Sequence, residues 1–244
     1  MKPKFLIPFL VIYCVVLGVE VYAEHIHTVS QQFGLLSVMQ PALLPLLIIY
    51  LIYNAKGRFN RFTIWVLVGL IFDWLSDIVL TIYKDAFNIP SVMGYFAGHI
   101  CYTIAFGWSI KKSGYKVSLL NRFIFSLPPI FYIIIYYLFI YHYMSNHMVQ
   151  NSYIIPISLY ALSILAMSTS ALWRMGTTTD ASYWCITSGA LLYMLSDSIT
   201  GYNYFVEPIT YKYLISMTAY GLALLLFVIG AIIHKPQIRV GAYG

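Results

Sequence analysis

A chain of 244 residues that is 61% hydrophobic and only 9% charged, with a mean hydropathy of +0.79, lies far from the roughly 45–50% apolar and 25% charged make-up of a soluble domain. A water-soluble globular protein is excluded, and an integral membrane protein is implied. The net charge of +6 does not point to nucleic acid, because the basic residues fall in short polar gaps between apolar stretches, where they act as orientation signals.

Eight stretches of about 20 mostly apolar residues predict an all-α polytopic bundle: Phe5 to Tyr22, Leu35 to Tyr53, Phe62 to Tyr83, Pro90 to Ile110, Ser118 to Ile140, Ser152 to Trp173, Ser182 to Phe205 and Thr210 to Ile233. No gap is long enough for a soluble domain, so residues 1–244 read as a single transmembrane domain. The first stretch, with Lys2, Lys4 and Val21-Tyr22-Ala23, also resembles a secretory signal. Its apolar run is long for one, and we read it as a retained helix. Alternate gaps carry twelve Lys and Arg on one side (Lys2, Lys4, Lys56, Arg58, Arg61, Lys111, Lys112, Lys116, Arg122, Arg174, Lys235, Arg239) against Lys84 and Lys212 on the other. Both termini are therefore expected in the cytoplasm. Cys14, Cys101 and Cys185 are scattered through apolar segments with no C-x-x-C, which indicates no metal and says nothing of redox compartment.

One stretch occurs twice. Gly69 to Asp77 reads G-L-I-F-D-W-L-S-D and Gly189 to Asp197 reads G-A-L-L-Y-M-L-S-D, with Asp77 and Asp197 120 residues apart. The offset spans four helices with direction preserved, which implies a parallel 4+4 repeat. Each acid lies about 15 residues into its span, roughly 22 Å up a ~30 Å core, in the outer half of the membrane. An acid at that depth is costly and marks a functional site by default. The plainer role, a satisfied hydrogen-bond partner that fixes helix packing, stands beside it.

Asp73 and Asp77, at i and i+4, share a face of the third helix. Two ionised carboxylates that close in low dielectric do not comfortably coexist, so one proton is shared or held. His99, in Gly98-His99-x-x-Tyr102 on the fourth helix, is expected near the level of Asp73; a buried histidine there orients an acid, relays a proton or donates to a carbonyl. The 120-residue offset carries His99 onto Ala219, beside Tyr220, so the second half lacks this histidine. Ser76, Ser196 and Ser198 adjoin the acids without a G-x-S-x-G elbow and read as supports rather than nucleophiles. Lys84, Asn203 and Lys212 are candidates to meet a head group at the outer surface. Glu207 reads as a loop charge, His25, His27, His142, His147 and His234 as solvated residues, and the tyrosine tracts such as Tyr132 to Tyr143 as interfacial belts.

Ser76-Asp77 on the third helix, Gly98-His99-x-x-Tyr102 with Ala105-Phe106 on the fourth, and above all Gly189-Ala190-Leu191-Leu192-Tyr193-Met194-Leu195-Ser196-Asp197-Ser198 resemble the YhhN-type lysoplasmalogenase family from about the second helix onward. Ser76 stands where family members often have Gly, and on the eighth helix Tyr220 fits the family's tyrosine-rich pattern. The resemblance implies an ether hydrolase that cleaves the vinyl-ether bond of lysoplasmalogens into a fatty aldehyde and a glycerophospho-base. Asp77 and Asp197 would be catalytic, and Asp73, His99, Tyr102, Ser198, Asn203 and Tyr220 would line the substrate pocket. No metal or cofactor is needed. The partners expected are a lysophospholipid and the bilayer of a bacterial plasma membrane, with the oligomeric state open. A proton-coupled carrier using the same acids is the rival reading, and a structural role for them a third.

Overall fold

A computed structural model of the chain describes residues 3–30, 40–55, 59–83, 88–113, 118–146 and 154–236. Eight α-helices follow in order: α1 (Leu6–Ser30), α2 (Leu43–Ala55, entered through a 3₁₀ turn at Gln40–Ala42), α3 (Arg61–Tyr83), α4 (Ile89–Ser113), α5 (Leu119–Asn146), α6 (Ile154–Leu172), α7 (Asp180–Phe205) and α8 (Lys212–Ile232). The expected all-helical plan of eight is present, and among the described residues there is no strand.

Local chemistry sets several of the starts. Asn60 caps α3, its Oδ1 accepting from the Thr63 backbone N–H at 2.9 Å, and Asn88 caps α4 through the Ser91 N–H at 2.9 Å. The Ser118 hydroxyl accepts from the Asn121 N–H at the head of α5. Each side chain satisfies one of the amides that a helix start leaves without a partner.

Six helices, all but α2 and α7, are long and apolar enough to cross a membrane. The 13 residues of α2 reach about 20 Å, short of a ~30 Å core. Of the stretch read from Leu35 to Tyr53, residues 35–39 lie outside the described residues, and the described helix runs from Leu43. The 26 residues of α7 are long enough, but the helix is rich in Ser, Thr, Asp and Tyr. It packs on α5, α6 and α8, and a helix enclosed by protein needs no apolar exterior.

The tightest neighbours are the α3–α4 and α7–α8 hairpins, joined through α4 against α6 and α3 against α8; α1 and α2 lean on α8 and on each other, and α5 lies outside on α6 and α7. Each hairpin is closed at the glycine that opens the repeated stretch. A Cβ on Gly69 would lie 2.5 Å from the Tyr102 ring of α4, and one on Gly189 would lie 2.8 Å from the Phe227 ring of α8. Small residues at such crossings let backbones approach in lipid, where packing replaces the hydrophobic effect as the driving force. The α1 helix runs through Val21-Tyr22-Ala23 and is anchored on α8, with the Tyr13 hydroxyl donating to the Gly221 carbonyl at 2.8 Å.

At the end of the bundle where α4 and α6 finish and α7 starts, Arg174 is fully buried. From the sequence it counted only among the basic residues of the polar gaps; in the fold its Nε donates to Ser109 Oγ (3.3 Å), Nη1 to the Ser182 carbonyl (3.3 Å) and Nη2 to Ser182 Oγ (3.0 Å). Its guanidinium also lies over the Phe62 and Phe106 rings. His234, expected to be solvated, is buried there too, 4.3 Å from the Phe62 ring centroid, with Nδ1 2.9 Å from Thr178 Oγ1 and 3.3 Å from Arg174 Nη2. The reason is fold-level: one long cation with several donors ties α3, α4, α7 and the end of α8 where they converge. Trp173 Nε1, donating to the Arg122 carbonyl at 3.0 Å, adds α5 to the same end. His142 is exposed, whereas His147 and the side chains of His25 and His27 lie outside the described residues.

Two outcomes follow from this node. Arg174→Ala would take the guanidinium donors away from Ser109 Oγ and Ser182 Oγ and leave a cavity, and should lower thermal stability in detergent by about 3–5 kcal/mol. Burial, and after it the neighbouring Arg174 charge, pushes His234 down to about 3 from the ordinary ~6.5. The unfolded chain therefore binds the extra proton between those values, so stability falls as pH drops from about 6.5 toward 3. Melting curves over that range should show a slope that is shallower in His234→Gln; equal slopes in the two proteins would remove His234 as its source.

Candidate active site

Five helices bring three carboxyl groups and a histidine together. Asp73 and Asp77 come from α3, Tyr95, His99 and Tyr102 from α4, Tyr160 and Ser163 from α6, Tyr193 and Asp197 from α7, and Tyr220 from α8. The helical period explains the grouping, since Asp73/Asp77, Tyr95/His99 and Tyr193/Asp197 are i, i+4 pairs that share a face.

Each acid is met by phenol hydroxyls. Asp73, 0% exposed, accepts from Tyr102 at 2.7 Å and from Tyr193 at 3.3 Å. Asp77, 3% exposed, accepts from Tyr95 at 2.5 Å, with the Tyr220 hydroxyl 3.4 Å from both of its oxygens. Asp197 accepts from Tyr160 at 2.9 Å, and its side chain is 18% exposed. A charged or polar group withdrawn from water must recover hydrogen bonds inside the protein, and tyrosine offers a strong donor on an apolar body. Of the three, Asp197 is the most exposed.

The rings are also continuous. Tyr95 lies edge-on to Tyr220 (6.3 Å), Tyr220 to Tyr193 (5.4 Å) and Tyr193 to His99 (4.9 Å), and His99 tilts against Tyr160 (5.0 Å). The path runs from the donors of Asp77 to the donor of Asp197. His99 is fully buried, with Nδ1 3.0 Å from Ser163 Oγ and Nε2 3.8 Å from Asp197 Oδ2.

Of the residues expected from sequence, Asp73, Asp77, Asp197, His99, Tyr102 and Tyr220 converge here. His99 faces Asp197 rather than Asp73, because Tyr102 one turn further along α4 already occupies the Asp73 carboxyl. Ser198 does not join them, for its hydroxyl donates back to the Met194 carbonyl at 2.8 Å. Asn203, in the last turn of α7, is tied to the loop that follows, its Oδ1 accepting from the Ile209 N–H at 2.9 Å. Lys212 is buried with its ammonium 4.4 Å from the Tyr213 ring centroid, Glu207 accepts from the Tyr202 hydroxyl, and Lys84 lies outside the described residues. Ser76 bonds back to the Phe72 carbonyl, and Ser196 crosses to the Ser216 carbonyl on α8. Among the described residues no three His, Cys, Asp or Glu side chains converge as a metal site.

Sequence reasoning missed Tyr95, Tyr160, Ser163 and Tyr193. Two carried a readable signal: Tyr95 sits four residues before His99, and Tyr193 occupies in the second repeated stretch the position of Asp73 in the first. Glu20 was also passed over; it is a buried acid on α1 at 3% exposure.

Gly98 makes the α3–α4 contact at the site, because a Cβ there would strike Asp73 Oδ1. Gly107, on the same helix, has nothing within 4 Å of the corresponding Cβ position. Gly98→Ala should therefore destabilise by about 1–3 kcal/mol, while Gly107→Ala should be neutral or stabilising by up to ~1 kcal/mol through helix propensity. Paired melting curves that moved in the same direction would contradict the close approach at Gly98.

A family model, the YhhN family, matches residues 35–231. No curated protein and no solved structure matches the chain.

Proposed function

This chain belongs to the YhhN family, and from that premise we propose that it is a lysoplasmalogenase, an intramembrane hydrolase of alkenyl lysophospholipids. The observation that carries the reading is the trio of hydroxyl-capped carboxyls at membrane depth, with Asp197 partly accessible and beside His99.

Vinyl-ether hydrolysis begins with protonation of the distal alkene carbon, which gives an oxocarbenium ion, and ends with water attacking that ion. It asks for one carboxyl in its acid form and one carboxylate to stabilise the cation and take a proton from water. Paired carboxylates divide glycoside hydrolysis in the same way. Withdrawal of a carboxyl from water favours its acid form, while phenol donors stabilise a carboxylate, and the reaction needs one group in each state. Asp77 and Asp197 take these roles, with Asp73 and the surrounding rings as the wall.

The substrate is already dissolved in the bilayer, so its chain needs no aqueous tunnel and approaches between helices. The protein sits in a bacterial plasma membrane with both termini cytoplasmic, which places Asp77 and Asp197 toward the outer leaflet. Consistent with that topology, the start of α1 and the end of α2 meet at one end of the bundle, through Lys4 N–H to Asn54 Oδ1 at 2.8 Å. The starts of α3 and α7 and the ends of α4, α6 and α8 meet through Arg174, and all of these ends share the same side under the alternating helix order.

The test is aldehyde release from purified protein given an alkenyl lysophospholipid beside its ester-linked counterpart. Aldehyde is expected from the alkenyl substrate alone, with Asp77→Asn and Asp197→Asn each losing on the order of 10²-fold or more and Asp180→Asn, at the opposite end of α7, unchanged. Folded Asp→Asn variants that kept full activity would overturn the roles. Absence of aldehyde from folded wild-type protein would shift the reading to a proton-coupled carrier.

A further inference from the structure

Ser163 and His99 meet in the buried interior of the site, Oγ 3.0 Å from Nδ1. The single proton of the serine is already committed, because its Oγ donates to the Tyr160 carbonyl at 2.7 Å, one turn back on α6. Oγ then has only lone pairs to offer the ring, so Nδ1 must carry the ring's proton. In a neutral imidazole this leaves Nε2 as a bare acceptor.

Nε2 is buried, has no hydrogen-bond partner, and points toward Asp197 Oδ2 at 3.8 Å. That oxygen accepts from the Tyr160 hydroxyl, so one turn of α6 orients both members of the pair. Two acceptors facing each other call for a donor between them, and 3.8 Å is beyond a direct hydrogen bond. A water with its oxygen about 2.8 Å from each fits to one side of the line joining them. It gains two of the two to four polar partners a buried water takes, and the exposed edge of Asp197 gives access.

We infer that Ser163 is a positioning residue that locks His99 in its Nδ1–H tautomer, so that Nε2, paired with Asp197, takes the proton of the attacking water. The inference rests on the hydrolytic reading above and divides its labour further. The water's lone pair forms the new C–O bond to the oxocarbenium carbon as one of its protons passes to Nε2, giving a hemiacetal and an imidazolium paired with Asp197. The imidazolium then returns that proton to the glycerol-side ether oxygen. The C–O bond to that oxygen breaks, its electron pair leaving with the oxygen. The hemiacetal O–H electrons close the aldehyde C=O, and the released proton reloads the carboxyl that protonated the alkene. Asp77 is thereby left as that acid.

Nitrogen-15 NMR of histidine-labelled protein in detergent reads the tautomer without substrate, with the His99→Gln spectrum identifying the His99 signals. The wild type should show a pyrrole-type Nδ1 and a pyridine-type Nε2, Ser163→Ala a tautomer mixture, and Ser163→Thr, which keeps the hydroxyl, the wild-type pattern. In the aldehyde assay Ser163→Ala should lower kcat roughly ten- to a hundred-fold with KM within about twofold, and Ser163→Thr should restore most of it. A protonated Nε2 in the wild type, or wild-type shifts and kcat in folded Ser163→Ala, would overturn the inference. Wild-type protein that releases no aldehyde defeats the hydrolytic reading instead, and the NMR arm still decides the tautomer. Should Ser163→Ala fail to fold, the wild-type spectrum and the threonine variant carry the decision.

Discussion

A carboxyl group held at the hydrocarbon depth of a bilayer has no water to bond, so the protein must supply its donors. Here the donors are phenols, and the packing of the inner helices follows from placing them. Tyr102 and Tyr95 on α4 reach Asp73 and Asp77 on α3. Tyr193 on α7 returns to Asp73, and Tyr220 on α8 closes over Asp77. Tyr160 on α6 does the same for Asp197. Every one of these bonds but two crosses to a different hairpin, so the acids act as the pins of the bundle, and the proposed chemistry draws on the same groups. This dual use explains why so many tyrosines are withdrawn from the membrane interfaces, where the residue type is usually most at home.

The opposite end of the bundle solves the converse problem. A fully buried guanidinium has no carboxylate against it among the described residues, yet it is surrounded by hydroxyls, a carbonyl, an imidazole and two aromatic faces. Arginine suits this because its charge is delocalised and weakly hydrated, and its planar face stacks on rings. The two polar nodes therefore lie toward opposite ends of the same inner helices: one holds acids between phenols, and the other holds a cation between phenyl rings and hydroxyls.

Much of this was legible in the chain. The eight helices and the His99–Tyr102 face of α4 came from apolar run lengths and helical spacing, and the costly acids Asp73, Asp77 and Asp197 marked the place where the inner helices converge. What stayed hidden shares a physical cause. Tyr160 and Ser163 sit in an apolar stretch that carries no acid, and a tyrosine or serine in such a stretch looks the same whether it anchors at an interface or donates to a partner 37 residues away, as Tyr160 does to Asp197. Arg174 and His234 lie just beyond helix ends, where sequence alone suggests solvent; only the convergence of four helix ends encloses them.

The hydrogen bond between Asp73 and Tyr193 joins the same position in the two copies of the repeated stretch. Were two such stretches related by an exact twofold axis, residues close to it would meet their own counterparts across it. Identical carboxylates at such a place would confront each other, and identical phenols would offer no acceptor of comparable strength. A carboxylate opposite a phenol is complementary. The repeat read from the sequence therefore cannot be exact at this position, and it is not exact at His99 either, whose counterpart under the same offset is Ala219.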